Sequence, residues 1–102
     1  MEQHHISTIS EIPPGEARAY DVGGRRIAVF NSDGALYAID DTCPHQGGPL
    51  SEGSVDAGCV TCPWHGAVFE LATGVEQTSI AGEDVCRHNV VISDGQVFVE
   101  IE

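Results

Sequence analysis

Lysine is absent from this 102-residue chain, and only four arginines (Arg18, Arg25, Arg26 and Arg87) stand against sixteen acidic residues, for a net charge of −12. Nucleic acid is not expected as a partner, because phosphate binding needs a basic footprint. An anionic membrane surface is excluded on the same ground. No apolar run approaches the roughly 20 residues of a membrane-spanning helix. The opening "MEQHHISTISEIPPGEA" has no basic stretch followed by an apolar one, so no secretory leader is read and a cytoplasmic location is expected. Cysteines in a reducing compartment serve more often as ligands or core residues than as disulfides. A protein partner with a basic face suits the acidity, since complementary fields speed encounter.

Helical periodicity is missing as well. Twelve glycines and short β-branched runs separated by turn dipeptides read as all-β, in one domain over 1–102. "RRIAVFNSDGALYAID" predicts a hairpin turning at Asp33-Gly34, with Ile27 and Val29 alternating against Ala28 and Phe30. "HNVVISDGQVFVEI" repeats the device at Asp94-Gly95, with Val97, Val99 and Ile101 on one face. In "AVFELATG", Ala67, Phe69 and Leu71 alternate with Val68 and Glu70. "IPPG" at 12–15 marks an early turn, and the N-terminus near His4-His5 is expected to fray.

One stretch breaks the pattern. "CPHQGGPLSEGSVDAGCVTCPWHG", from Cys43 to Gly66, is rich in glycine and proline and holds three of the four cysteines. A long irregular segment in a compact domain is usually functional or disordered, and four good metal ligands argue for functional. Its ligands are Cys43-x-His45 and Cys62-x-x-His65. A zinc clip, a disulfide, a catalytic thiol and an iron–sulfur cluster all use such residues. Zinc sites usually pair Cys with Cys and His with His, whereas each box here carries one of each. An unsymmetrical two-iron cluster, with two thiolates on one iron and two imidazoles on the other, uses that arrangement.

"CPHQGGPLSEGSV" and "VTCPWHGAVFELATG" resemble the cluster-binding segment of Rieske-type [2Fe–2S] ferredoxins, and the strand pattern on both sides is similar. The resemblance implies a small antiparallel β-sandwich with an inserted cluster-binding subdomain over about 42–74. It implies one [2Fe–2S] cluster, with Cys43 and Cys62 on the inner iron and His45 and His65 on the outer. Gly47, Gly48 and Gly66 would let backbone approach it. Two thiolates leave the oxidised unit neutral and one added electron makes it a monoanion; replacing two further thiolates by neutral imidazoles raises the potential over plant-type ferredoxins.

The family spans about −150 to +300 mV. Its respiratory members carry an extra cysteine in each box, joined as a disulfide, where this chain has Gly48 and Trp64. They also carry a serine and a tyrosine that hydrogen-bond cluster sulfurs, where this chain has Ala67 and Phe69. Fewer hydrogen bonds to sulfur lower the potential, so the low end of the range is expected. The resemblance then implies a carrier, not an enzyme: a monomer taking single electrons from a flavoprotein NAD(P)H reductase to the terminal Rieske oxygenase of an aromatic-compound-degrading system. The alternative is a small Rieske subunit of a larger oxidoreductase such as a nitrite reductase, and a third reading is a structural zinc site.

Four further expectations concern single residues. Cys59 is read as a strand residue entering the second box, and Cys86 as a small apolar strand residue. Trp64 is read as a shield or an apolar docking surface, and His88 as structural. Related ferredoxins often place a proline-containing loop over the cluster. "GVEQTSIAGEDVCRHN" has no proline, so either Ser79–Gly82 makes that cover or the cluster is more exposed.

Overall fold

Four two-residue turns set the register of the strands. In the computed structural model, which describes residues 2–44, 47–64 and 66–101, Asp33 and Asp94 take φ of 54° and 50°, each followed by a glycine at positive φ. Two successive positive φ angles make the turn whose twist matches paired strands. The first turn joins β3 (Arg25–Ser32) to β4 (Ala35–Asp40), and the second joins β8 (Arg87–Ser93) to β9 (Gln96–Ile101). Gly23-Gly24 makes the same turn between β2 (Ala17–Val22) and β3, and Ala57-Gly58 between β5 (Ser54–Asp56) and β6 (Cys59–Thr61). With β1 (Glu2–Thr8) and β7 (Val68–Glu70), the fold is all-β and antiparallel throughout.

The larger sheet has the order β1-β9-β8-β4-β3-β2, and the smaller one β5-β6-β7. Only two residue pairs, Ala38 with His88 and Ile39 with Arg87, join β4 to β8. At this narrow joint the larger sheet folds over itself, because Ile27, Val29 and Ala38 from one half share a core with Val99 and Ile101 from the other. Side chains alternate across a strand, so Ala28, Phe30 and Ile39 point the opposite way. There they meet Val60, Phe69 and Leu71 of the smaller sheet and its edge, in a second core that also holds Cys43 and Cys62. Strand β3 is thereby buried on both faces, as its run of apolar residues requires.

The expected alternations are present: Val97 and Val99 are fully buried and Ile101 nearly so, and Ala67, Phe69 and Leu71 are buried between half-buried neighbours. The N-terminal expectation is corrected. His4 and His5 lie in β1, which pairs along its length with β9 from Glu2 opposite Ile101 to Thr8 opposite Gln96. His5 also bonds Gln96 Oε1 through Nε2 at 2.6 Å and sets its ring edge-on to Phe98. Pairing with β9, the bond to Gln96 and an aromatic contact hold a strand that local pattern alone marks as loose. No helix among the described residues is long and apolar enough to cross a membrane.

Candidate metal centre

Two loops leave the small sheet and the end of β4 with the same backbone wiring. In the first, the Cys43 amide donates to the Gly48 carbonyl at 2.9 Å and the Gly47 amide donates back to the Cys43 carbonyl at 2.8 Å. In the second, the Cys62 amide donates to the Ala67 carbonyl at 2.7 Å and the Gly66 amide to the Cys62 carbonyl at 3.1 Å. Each loop closes at a glycine of positive φ, 77° at Gly47 and 80° at Gly66, a conformation that a side chain there would strain. Each presents a cysteine at its base: Cys43 is 2% exposed and Cys62 is 3%.

Asp41 fastens both ends of the first loop. Its buried carboxylate accepts the Ser51 amide at 2.7 Å and Arg26 Nε at 2.8 Å. Its own carbonyl accepts the Leu50 amide at 2.6 Å, and its amide donates to the Arg26 carbonyl at 3.0 Å. One residue thus ties the chain entering the loop to the chain leaving it, and ties both to β3. Thr42 and Pro49 bridge just inside this clamp.

The loops meet at Gly48. A methyl group placed on it would stand 3.0 Å from Cys62 Sγ and 3.0 Å from Trp64 Cγ. The two positions that a disulfide would join in the respiratory proteins are therefore in contact here, glycine against indole. Trp64 keeps 56% of its surface exposed, so its inner edge packs and its outer face meets solvent. Ala67 and Phe69 are fully buried and bring no hydroxyl to the cysteines.

His45 and His65 lie outside the described residues. Among the described residues no three His, Cys, Asp or Glu side chains gather as a metal site. The described half of the expected set, two buried cysteines at the bases of matched loops in one apolar core, fits a thiolate-bound cluster. A lone buried thiolate pair is costly, and binding a positively charged iron–sulfide core offsets that cost.

The remaining residues fall away from this centre. Cys59 is a half-buried strand residue of β6, as expected. Cys86 is corrected: it is exposed and precedes β8 by one residue, with its carbonyl accepting the Asp40 amide at 3.0 Å. His88 is buried in β8, with Nε2 at 2.8 Å from Asp40 Oδ1, and the same carboxylate accepts Arg25. That is a structural role.

Ser79–Gly82 is gathered by Glu76, whose carboxylate accepts the Ala81 and Gly82 amides. The Gln77 amide donates to the Val68 carbonyl, and the Val68 amide donates to Thr78 Oγ1, so residues 76–78, which lead into that segment, run alongside β7. Ala81 packs against the core that holds Cys43 and Cys62. Sequence reading missed both Asp41 and Glu76, the carboxylate that organises this segment, because nothing local distinguishes either from the other acidic residues.

A family model, the Rieske [2Fe–2S] domain, matches residues 2–79. The chain belongs to the Rieske [2Fe–2S] family. The ferredoxin subunit of anthranilate 1,2-dioxygenase from Burkholderia cepacia is 37% identical over 100 residues, covering 98% of this chain and 93% of that protein. The ferredoxin of carbazole 1,9a-dioxygenase from Nocardioides aromaticivorans IC177 superposes with a TM-score of 0.94 at 25% identity, over 100% of both chains. A chain in a complex of reduced oxygenase and oxidised ferredoxin of carbazole 1,9a-dioxygenase gives a TM-score of 0.89 at 32% identity, over 95% of this chain and 100% of that one.

Proposed function

We propose that this Rieske protein is a one-electron carrier, taking electrons from a flavoprotein NAD(P)H reductase to a terminal Rieske oxygenase in aromatic-compound degradation. The observation that carries the reading is the pair of matched loops, each burying one cysteine, on a chain that its ferredoxin relatives cover nearly end to end. Full-length similarity to ferredoxin subunits favours a carrier over a catalytic component.

Cys43, His45, Cys62 and His65 are the proposed ligands, within a cluster-binding subdomain of about 42–74. The cluster supplies a one-electron couple at the low end of the Rieske range. The protein's share is to hold both cysteine sulfurs in an apolar core and keep hydroxyl donors away through Ala67 and Phe69. Trp64 gives the second loop an exposed apolar face. The acidic surface draws partners with basic docking faces, and the carrier works as a cytoplasmic monomer.

Iron and acid-labile sulfide, counted on the sample used for EPR before and after dithionite, test this. The expected result is two irons and two sulfides per chain, silence before reduction and a rhombic signal of mixed Cys/His ligation after it. Zinc without sulfide, and no signal in either state, would sink the reading. Copurification with a catalytic subunit through size exclusion would overturn the free-carrier assignment alone.

A further inference from the structure

Between Leu71 and Cys86 the described chain has no regular strand or helix to hold residues 78–82 in place. Such a segment pays a large entropy cost to hold one conformation. Here one side chain gathers it. Glu76 Oε2 accepts the Thr78 hydroxyl at 2.6 Å and the Ala81 amide at 2.8 Å, and Oε1 accepts the Gly82 amide at 2.9 Å. The Glu76 amide in turn donates to Asp84 Oδ1 at 2.9 Å. Hydrogen bonds to an ionised acceptor are the stronger kind. The Thr78 hydroxyl, first, and then the Ala81 amide hold the carboxyl below the usual carboxylate range.

The gathered segment reaches the core of the centre through Ala81 and the second loop's exit through Thr78. The Thr78 oxygen that donates to Glu76 also accepts the Val68 amide, at 3.3 Å, two residues beyond Gly66 of the second loop. Ala81 is pressed on the core containing Cys43 and Cys62. The geometry points to Glu76 as the positioning residue for a cover: through Thr78, Ala81 and Gly82 it holds residues 78–82 over the cluster-bearing core, doing by hydrogen bonding what a rigid residue would do by ring closure. This rests on the cluster reading above. Among the described residues the carboxylate bonds to neither proposed ligand loop; it acts through the segment.

Two isosteric substitutions separate position from charge. Glu76→Gln removes the negative charge and sets an N–H group against amide donors. Thr78→Val removes the hydroxyl relay and leaves every charge in place, and Thr78→Ser restores it. The protein loaded with iron and sulfide is followed by hydrogen–deuterium exchange at Ala81 and Gly82, by bleaching of its visible absorbance in excess EDTA, and by reduction potential.

Both disruptive variants should exchange about tenfold faster at these amides, bleach several-fold faster, and shift to higher potential as water reaches the more charged reduced state. Thr78→Ser should match the parent. Unchanged exchange, or faster exchange without faster bleaching, overturns the cover. A potential shift in Glu76→Gln alone overturns it too, because charge by itself then explains the effect. Absence of iron and sulfide from the parent would overturn the cluster reading instead, and amide exchange in that protein still reads whether Glu76 holds the segment.

Discussion

Gly48 and Trp64 are in contact across the two loops, so closely that the methyl group of an alanine at 48 would lie 3.0 Å from Trp64 Cγ and equally near Cys62 Sγ. Contacts of that length are repulsive, and the indole or the sulfur has to move. Gly48→Ala is expected to cost about 1–3 kcal/mol and to lower cluster occupancy, because the loops can no longer close on each other. Trp64→Ala should leave unfolding by urea nearly unchanged, since the ring is mostly exposed, yet speed cluster loss. Iron content and urea midpoints of the two variants check this. A fully loaded Gly48→Ala with parental stability would show that the loops meet elsewhere.

What could be read beforehand divides along local and non-local physics. The hairpins at Asp33-Gly34 and Asp94-Gly95 were legible, because alternation and a turn dipeptide lie within a dozen residues of each other. Spacing singled out Cys43 and Cys62 as candidate ligands, and the fold buries both in one core. Strand β1 was not, because its partner lies at the other end of the chain, Glu2 opposite Ile101, and only the folded sheet supplies the pairing. Nor was the clamp of Asp41, whose meaning comes from burial beside β3 and not from its neighbours in sequence. The contact of Gly48 with Trp64 is likewise a property of two loops brought together.

Asp41 is the cheapest place to loosen the first loop without touching a proposed ligand. Asp41→Ala leaves the Ser51 amide and the Arg26 guanidinium without their acceptor. Losing hydrogen bonds to a buried charged group costs about 1.5–3 kcal/mol. Asp41→Asn keeps one acceptor oxygen and should cost less. Urea denaturation orders the three proteins, and Asp41→Ala should also release iron to EDTA faster. Equal stability of parent and Asp41→Ala would mean the clamp is idle.

Ala57 sits at φ 52° in the turn between β5 and β6, where its three counterparts in the other turns are glycine or aspartate. The left-handed region costs an ordinary residue roughly 1–2 kcal/mol, and asparagine followed by glycine suits this turn best. Ala57→Asn should therefore stabilise the protein by about 0.5–1 kcal/mol, with spectra of the cluster unchanged. A drop in the urea midpoint would contradict the assigned turn.

Glu100 ties three strands on one face of the larger sheet. Its carboxylate accepts Gln3 Nε2 from β1 at 3.0 Å and Asn89 Nδ2 from β8 at 3.2 Å, and Arg87 in turn donates to Asn89. These bonds, Gln3 first and Asn89 second, hold its carboxyl below the usual carboxylate range. A carboxyl depressed on folding stabilises the protein above its unfolded value, and that contribution is lost as pH falls through the folded value. The parent should thus exceed Glu100→Gln in urea midpoint at neutral pH, and the gap should close on acidification below the ordinary carboxylate range. A gap that is constant with pH would assign the effect to shape and not to charge.

The arginines are already engaged within the protein. Arg18 pairs with Glu16, Arg25 with Asp40 and Arg26 with Asp41, while Arg87 bonds Asn89. With no lysine to dilute them, the surplus carboxylates dominate the field of a chain carrying −12. Long-range attraction of this kind raises encounter rates and is screened over about 10 Å at 0.1 M salt. Electron transfer from the proposed reductase should therefore slow as sodium chloride rises from low to physiological strength, through the second-order rate constant and not the rate within the complex. Stopped-flow reduction across a salt series reads this directly. A rate indifferent to salt would remove the basic docking face from the proposal while leaving the carrier intact, because the Trp64 face would then dominate docking.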